Sequence, residues 1–154
     1  MRNLNRHKLL KSLNLLCHFL QEKYKINYGG CCFLSYLIAK HLHKLGIDYN
    51  LVIYDSEEKN ISCIEYEVLN KKPNIKCNES VTGYNSSNHY CIQIVGAGIV
   101  NDEEGECYKY IIPKVSYKSI LWIYNNSDWN EYYKTKYNDI IKGIINAFFK
   151  EYEK

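Results

Sequence analysis

An α+β fold is what this chain predicts: N-terminal helices packed on an antiparallel sheet, with a C-terminal helix closing the structure. Three features carry that expectation. Apolar residues recur at helical spacing over residues 4–24 and again over 31–45. The middle of the chain breaks into short runs rich in Ile, Val and Tyr, divided by Gly, Asn, Asp and Ser. Helical spacing returns after Asp128. With 154 residues, no internal repeat and no linker, residues 1–154 read as one domain large enough to bury a core.

Taken in order, the first helix presents Leu9, Leu13, Leu16 and Leu20, with Leu10 and Cys17 broadening the stripe. It reads as a packing helix. Lys25 to Tyr28 lead into Gly29-Gly30, and the second helix runs from Cys31 through Leu34, Ile38, Leu42 and Leu45 to a stop at Gly46. His41 and His43 stand two apart, on different faces, so they form no metal pair and read as surface or boundary residues. Residues 48–55 and 61–69 suit strands, and the polar stretch 70–88 reads as a long loop bordering a cleft. Residues 89–95 form a strand, Gly96-Ala97-Gly98 a turn, and 99–102 the return strand; 108–112 and 120–124 supply two more. Asp128 with Glu131 has capping-box spacing before a last helix whose stripe is Tyr133, Tyr137, Ile140, Ile144 and Phe148. Gly143 weakens its middle by about 1 kcal/mol relative to Ala.

Charge and cysteine usage narrow the classes. The net charge is +3, from 20 basic against 17 acidic residues, which does not mark a nucleic-acid binder. The basic excess near the N-terminus reads as one solvated helix face. Seven cysteines, an odd number with no C-x-x-C pair, argue against zinc spacings and against a disulfide framework. No segment reaches the roughly 18 apolar residues of a membrane span, and Asn14 and His18 interrupt the only stretch that resembles a leader. A reduced, cytoplasmic setting with free thiols is the expectation.

The chemistry centres on Gly29-Gly30-Cys31-Cys32. Cys31 falls in the first turn of a helix, where unpaired N–H groups and the positive dipole end favour a thiolate. The glycines let a substrate backbone approach. A cysteine in that place is also a small apolar packing residue, so a functional role requires a base and a group to orient it. His89 opens a strand 58 residues later, and an acid, Asp102, follows on the return strand. The hairpin decides which side chain shares the face of His89. A three-residue turn at 96–98 puts Asn101 there, and a two-residue turn at 97–98 puts Asp102 there. Parity alone leaves both open.

Gly-Gly-Cys entering a helix, then a His-initiated strand, then Asp102-Glu103-Glu104-Gly105 after a short hairpin, resembles the papain-like and transglutaminase-like cysteine hydrolases. The likeness is greatest to small phage and bacterial members, and it spans roughly residues 27–105. It implies a papain/transglutaminase-like core with Cys31 as nucleophile, His89 as general base and Asp102 as the orienting acid. The implied activity is that of a cysteine hydrolase or acyltransferase (peptidase, isopeptidase, deamidase or amidase) on a peptide or protein substrate, with no cofactor. Cys31 is preferred to Cys32 because it directly follows the glycines. The glutamine that papain-type enzymes carry six residues before the nucleophile corresponds to Lys25, which does not match. An oxyanion hole would then use the Cys31 N–H beside Gly30, with the Asn27 side chain. That mismatch, with the many Tyr and Asn available for a contact surface, supports an alternative: a catalytically inactive papain-like binding or structural protein, such as a virion or host-interaction component. A metal site on Cys31, Cys32 and His89 has the wrong spacings.

Overall fold

The computed structural model describes residues 5–27, 30–55, 89–102, 108–125 and 131–153. In chain order these form α1 (Arg6–Tyr24), α2 (Cys31–Lys44), β1 (Tyr49–Asp55), β2 (His89–Ile94), β3 (Gly98–Val100), β4 (Tyr108–Pro113), α3 (Tyr117–Asn125) and α4 (Glu131–Lys150). The architecture is α+β, with N- and C-terminal helices flanking a small antiparallel sheet of order β3-β2-β1-β4. The expected strand at 61–69, the loop at 70–88 and the Asp128 cap lie outside the described residues.

Local chemistry sets the helix ends. Asn5 caps α1, its side chain accepting from the Lys8 N–H at 3.1 Å. Lys25 closes α1 in the left-handed region at φ 52°. Leu9, Leu13, Cys17 and Leu20 are the buried face. Helix α2 is different: ten of its fourteen residues are buried. A helix covered nearly all round belongs in the interior, and α2 packs against α3, β2, α4 and β1. Gly46, at φ 73°, lets the chain leave α2 toward β1.

Strand β1 is one of the two inner strands, between β2 and β4, and Leu51, Val52 and Ile53 are fully buried. Its register with β2 runs from Tyr49↔Ile94 to Tyr54↔His89. Alternation divides the sheet residues. Leu51, Ile53, Tyr90, Ile92 and Ile94 join the main core with the helices, while Val52, Tyr54 and Cys91 form a smaller cluster against Ile99. His89 has the parity of Cys91 and stands opposite Tyr54.

Three expectations from the sequence do not hold. Residues 120–124 are helical, within α3, instead of a strand. Ser116 starts that helix, its Oγ accepting from Lys118 N at 3.2 Å and its carbonyl from Ser119 N at 3.0 Å. The buried residues are Ile120, Ile123 and Tyr124, while Trp122 is 40% exposed. That is helical periodicity; a strand would bury Ile120, Trp122 and Tyr124 together. The β2–β3 loop is Val95-Gly96-Ala97, closed by Ala97 N to Ile94 O at 3.0 Å, with Ile94↔Gly98 and Gln93↔Ile99 paired above it. Gly96 takes the positive φ, 86°, that the turn needs. In α4 the buried residues are Ile141, Ile145 and Phe149, with Ile140 44% exposed, so the stripe sits one residue further on than its spacing indicates.

Candidate active site

Cys31 is the first residue of α2, capped by the buried Gly30. Gly30 N donates to Ile26 O and Leu34 N donates to Gly30 O, both at 2.9 Å, so the glycine joins the incoming turn to the helix. Helix geometry leaves the first-turn N–H groups without acceptors of their own inside the helix. The two adjacent thiols diverge. Cys32 donates its S–H to the carbonyl of Ile120 in α3, at 3.7 Å, deep in the core. The thiols of Cys31 and Cys91 both lie beside the His89 imidazole, close enough to act on its protonation.

His89 is the first residue of β2 and only 7% exposed. Its Nε2 donates to the backbone carbonyl of Asn101 at 2.8 Å, which fixes the tautomer and leaves Nδ1 for sulfur. The Tyr54 ring stacks beside it, with centroids 6.1 Å apart and planes 27° from parallel. Burial opposes the charged imidazole. The hydrogen bonds with Cys31 and Cys91, the field of Cys31 and the Asn101 carbonyl outweigh it, and the pKa of His89 rises above its usual 6.5. Burial acts the other way on the neighbouring thiols. It raises Cys91, against the pull of His89, and with Cys91 nearby it pushes Cys17 up to about 12. Both are held as thiols at neutral pH.

The hydrogen-bond partner of the imidazole differs from the expected one. Asp102 is exposed, and its carboxylate accepts a hydrogen bond from the Tyr54 hydroxyl; the imidazole proton goes to a backbone carbonyl instead. The loop parity explains this. Ile92↔Val100 and Gln93↔Ile99 give Asn101, not Asp102, the parity of His89. At Asn101 the backbone turns left-handed, φ 61°, so β3 ends and Asp102 swings to Tyr54. A non-glycine residue in that region costs about 1–3 kcal/mol, least for Asn. Three hydrogen bonds hold it. Asn101 N donates to Asn14 Oδ1 at 2.8 Å, Asn101 Nδ2 donates to Asn27 Oδ1 at 2.9 Å, and the carbonyl accepts from His89. At about 1 kcal/mol net for each, they offset the strain.

Asn27, the oxyanion candidate, is therefore tied at both ends of its backbone-to-amide reach. Its N–H donates to Gln21 Oε1 at 2.9 Å and its Oδ1 faces Asn101, leaving Nδ2 as the donor it has to offer. Sequence reasoning missed Cys91, Tyr54 and Asn14. Cys91 was legible in principle, because residues two apart on a strand share a face. Tyr54 was not, because its pairing with His89 joins strands far apart in sequence. A cavity of about 730 Å³ opens at the opposite end of the sheet, lined by Tyr49, Asn50, Val95, Pro113, Lys114 and Tyr117 among others. It lies away from the thiol–imidazole pair, at the Tyr49 end of β1, whereas His89 stands opposite Tyr54.

Among the described residues no group of three His, Cys, Asp or Glu side chains is arranged to hold a metal ion, and Cys32 faces away from His89. No described helix is long and apolar enough to cross a membrane. Comparison of the chain with family models, with curated proteins and with solved structures returns no match.

Proposed function

We propose that the protein is a papain- or transglutaminase-like cysteine hydrolase or acyltransferase acting on amide or thioester bonds of a peptide or protein. One observation carries this reading: a thiol at a helix start in contact with an imidazole whose other nitrogen is tied to a fixed acceptor. The Cys31 sulfur attacks the substrate carbonyl carbon while its proton resides on His89 Nδ1. The tetrahedral oxyanion forms beside the first-turn N–H groups of α2. His89 then gives its proton to the leaving amine or thiolate, the C–N or C–S bond breaks, and an acyl-Cys31 thioester remains. Water, or an acceptor amine, completes the cycle with His89 again taking the proton. The carbonyl of Asn101 serves where a carboxylate was expected, holding the imidazole in one tautomer.

Labelling with iodoacetamide across pH tests this. Cys31 should react well below the roughly 8.5 of a free thiol. Cys31→Ala should abolish the low-pH labelling and turnover, and Cys32→Ala should keep most of both. A Cys31 that labels only near 8.5 would sink the enzyme reading. A specific observation favours the second reading, a binding or structural protein that keeps the scaffold without turnover: Cys31 is only 6% exposed and His89 7%.

A further inference from the structure

We infer that Asn14, on helix α1, is a positioning residue of this site: its side-chain amide holds the end of β3 so that the Asn101 carbonyl meets His89. The inference rests on the thiol–imidazole reading of the proposed function.

Helix α1 reads from sequence as packing alone, and Asn14 as a polar break in a leucine-rich run. The geometry gives it more. Among the described residues strand β3 is the edge of the sheet, and one side of its backbone has no strand partner there. On such an edge the C=O of residue i and the N–H of residue i+2 point the same way. Asn14 meets that pair with one amide: Nδ2 donates to Ile99 O at 3.4 Å, and Oδ1 accepts from Asn101 N at 2.8 Å. A primary amide is a side chain that carries both a donor and an acceptor in one plane. Asn14 thus substitutes for a single residue of a neighbouring strand, at the last position before the chain turns.

From that position the backbone leads directly to the imidazole. Asn101 N is fixed by Asn14, the next backbone group is the Asn101 carbonyl, and that carbonyl accepts from His89 Nε2 at 2.8 Å. The left-handed φ of 61° between them is a strained state that persists only when its surroundings enforce it. Helix α1 is itself seated against the hairpin. Arg6 Nη1 donates to Val95 O at 2.9 Å, and α1 passes so near Gly98 that a Cβ there would lie 2.9 Å from Leu10 Cδ2. The helix therefore places the amide, the amide sets the strand end, and the strand end sets the ring.

The test compares Asn14→Leu and Asn14→Asp with the wild-type full chain by two readouts. The first is the pH profile of Cys31 alkylation by iodoacetamide. The second is solvent exchange of the His89 Nε2 proton, seen by NMR of ¹⁵N-histidine-labelled protein. For Asn14→Leu we expect alkylation near pH 6 to slow by about tenfold or more, the profile to move toward that of a free thiol, and the ring proton to exchange faster. Asn14→Asp keeps the acceptor for Asn101 N–H and should recover most of both, and it remains informative if the leucine variant fails to fold. Profiles and exchange unchanged in both variants would overturn the inference while leaving the enzyme reading intact. If wild-type Cys31 labels only as a free thiol but Asn14→Leu still frees the ring proton, the positioning role stands and the enzyme reading falls.

Discussion

Asn101 is the residue at which the expected and observed sites part. The carboxylate expected on the imidazole sits one residue too far along, and a backbone carbonyl takes its place. The protonation of His89 supplies a measurement at this scale. Its pKa is raised in the folded state, so the stability it contributes is complete below about pH 6.5 and is lost as pH rises through the higher folded value. NMR titration should find the ring protonated above the ordinary histidine range. Cys31→Ser removes the sulfur partner and should bring the titration down, whereas Asp102→Ala should leave it nearly unchanged, because its carboxylate is engaged by Tyr54. A large fall with Asp102→Ala would restore the acid to the role expected of it from sequence.

At the scale of elements, two helices show how pattern and packing divide the decision. Helix α4 carries adjacent apolar pairs, Ile140-Ile141, Ile144-Ile145 and Phe148-Phe149. Either member of each pair satisfies helical spacing, and the neighbours decide which is buried. The second members are the fully buried ones. Ile145→Ala should therefore cost about 2–5 kcal/mol in chemical denaturation, and Ile140→Ala should stay within about 0.5 kcal/mol. Equal costs would place the stripe where the spacing alone put it. Helix α3 poses the same problem in another form: Ile120-Leu121-Trp122-Ile123-Tyr124 is a continuous apolar run, compatible with a strand or a helix. Ser116 and the packing against α2 make it a helix.

Over the whole molecule, the buried α2 is the frame to which the C-terminal helix and turn are tied. Its histidine His41, expected at the surface or boundary, is 9% exposed and stacks on Phe149 with ring centroids 4.5 Å apart. His41 Nδ1 lies 2.9 Å from Glu153 and Nε2 lies 2.8 Å from Asn146 Oδ1, so α2 holds α4 and the turn beyond it. The hydrogen bond from His41, with the help of Lys44, holds the Glu153 carboxyl below its usual 4.5 against the opposing effect of burial. A depressed carboxyl contributes stability above its ordinary range and loses it as pH falls through the lowered value. Amide protection factors at the C-terminal turn, relative to intrinsic rates at each pH, should thus fall in acid below about pH 4.5, and Glu153→Gln should show that lower protection already at neutral pH. Protection unchanged by the substitution would remove the clamp.

The α+β class, the two leading helices, the strands at 48–55 and 89–95, and the choice of Cys31 and His89 as candidates were all legible in the residues. Each depends on local periodicity, on capping and turn chemistry, or on side-chain reactivity, which neighbours in sequence express. The loop register, the helical state of 120–124, the buried side of α4 and the partner of the imidazole were decided only in three dimensions. Their local alternatives lie close together in energy: a turn moved by one residue, an apolar run of either period, a pair of adjacent isoleucines. Burial against elements distant in sequence separates them. Asn14 shows this most clearly, since nothing near it in the chain indicates that its amide will bond the backbone of Ile99 and Asn101.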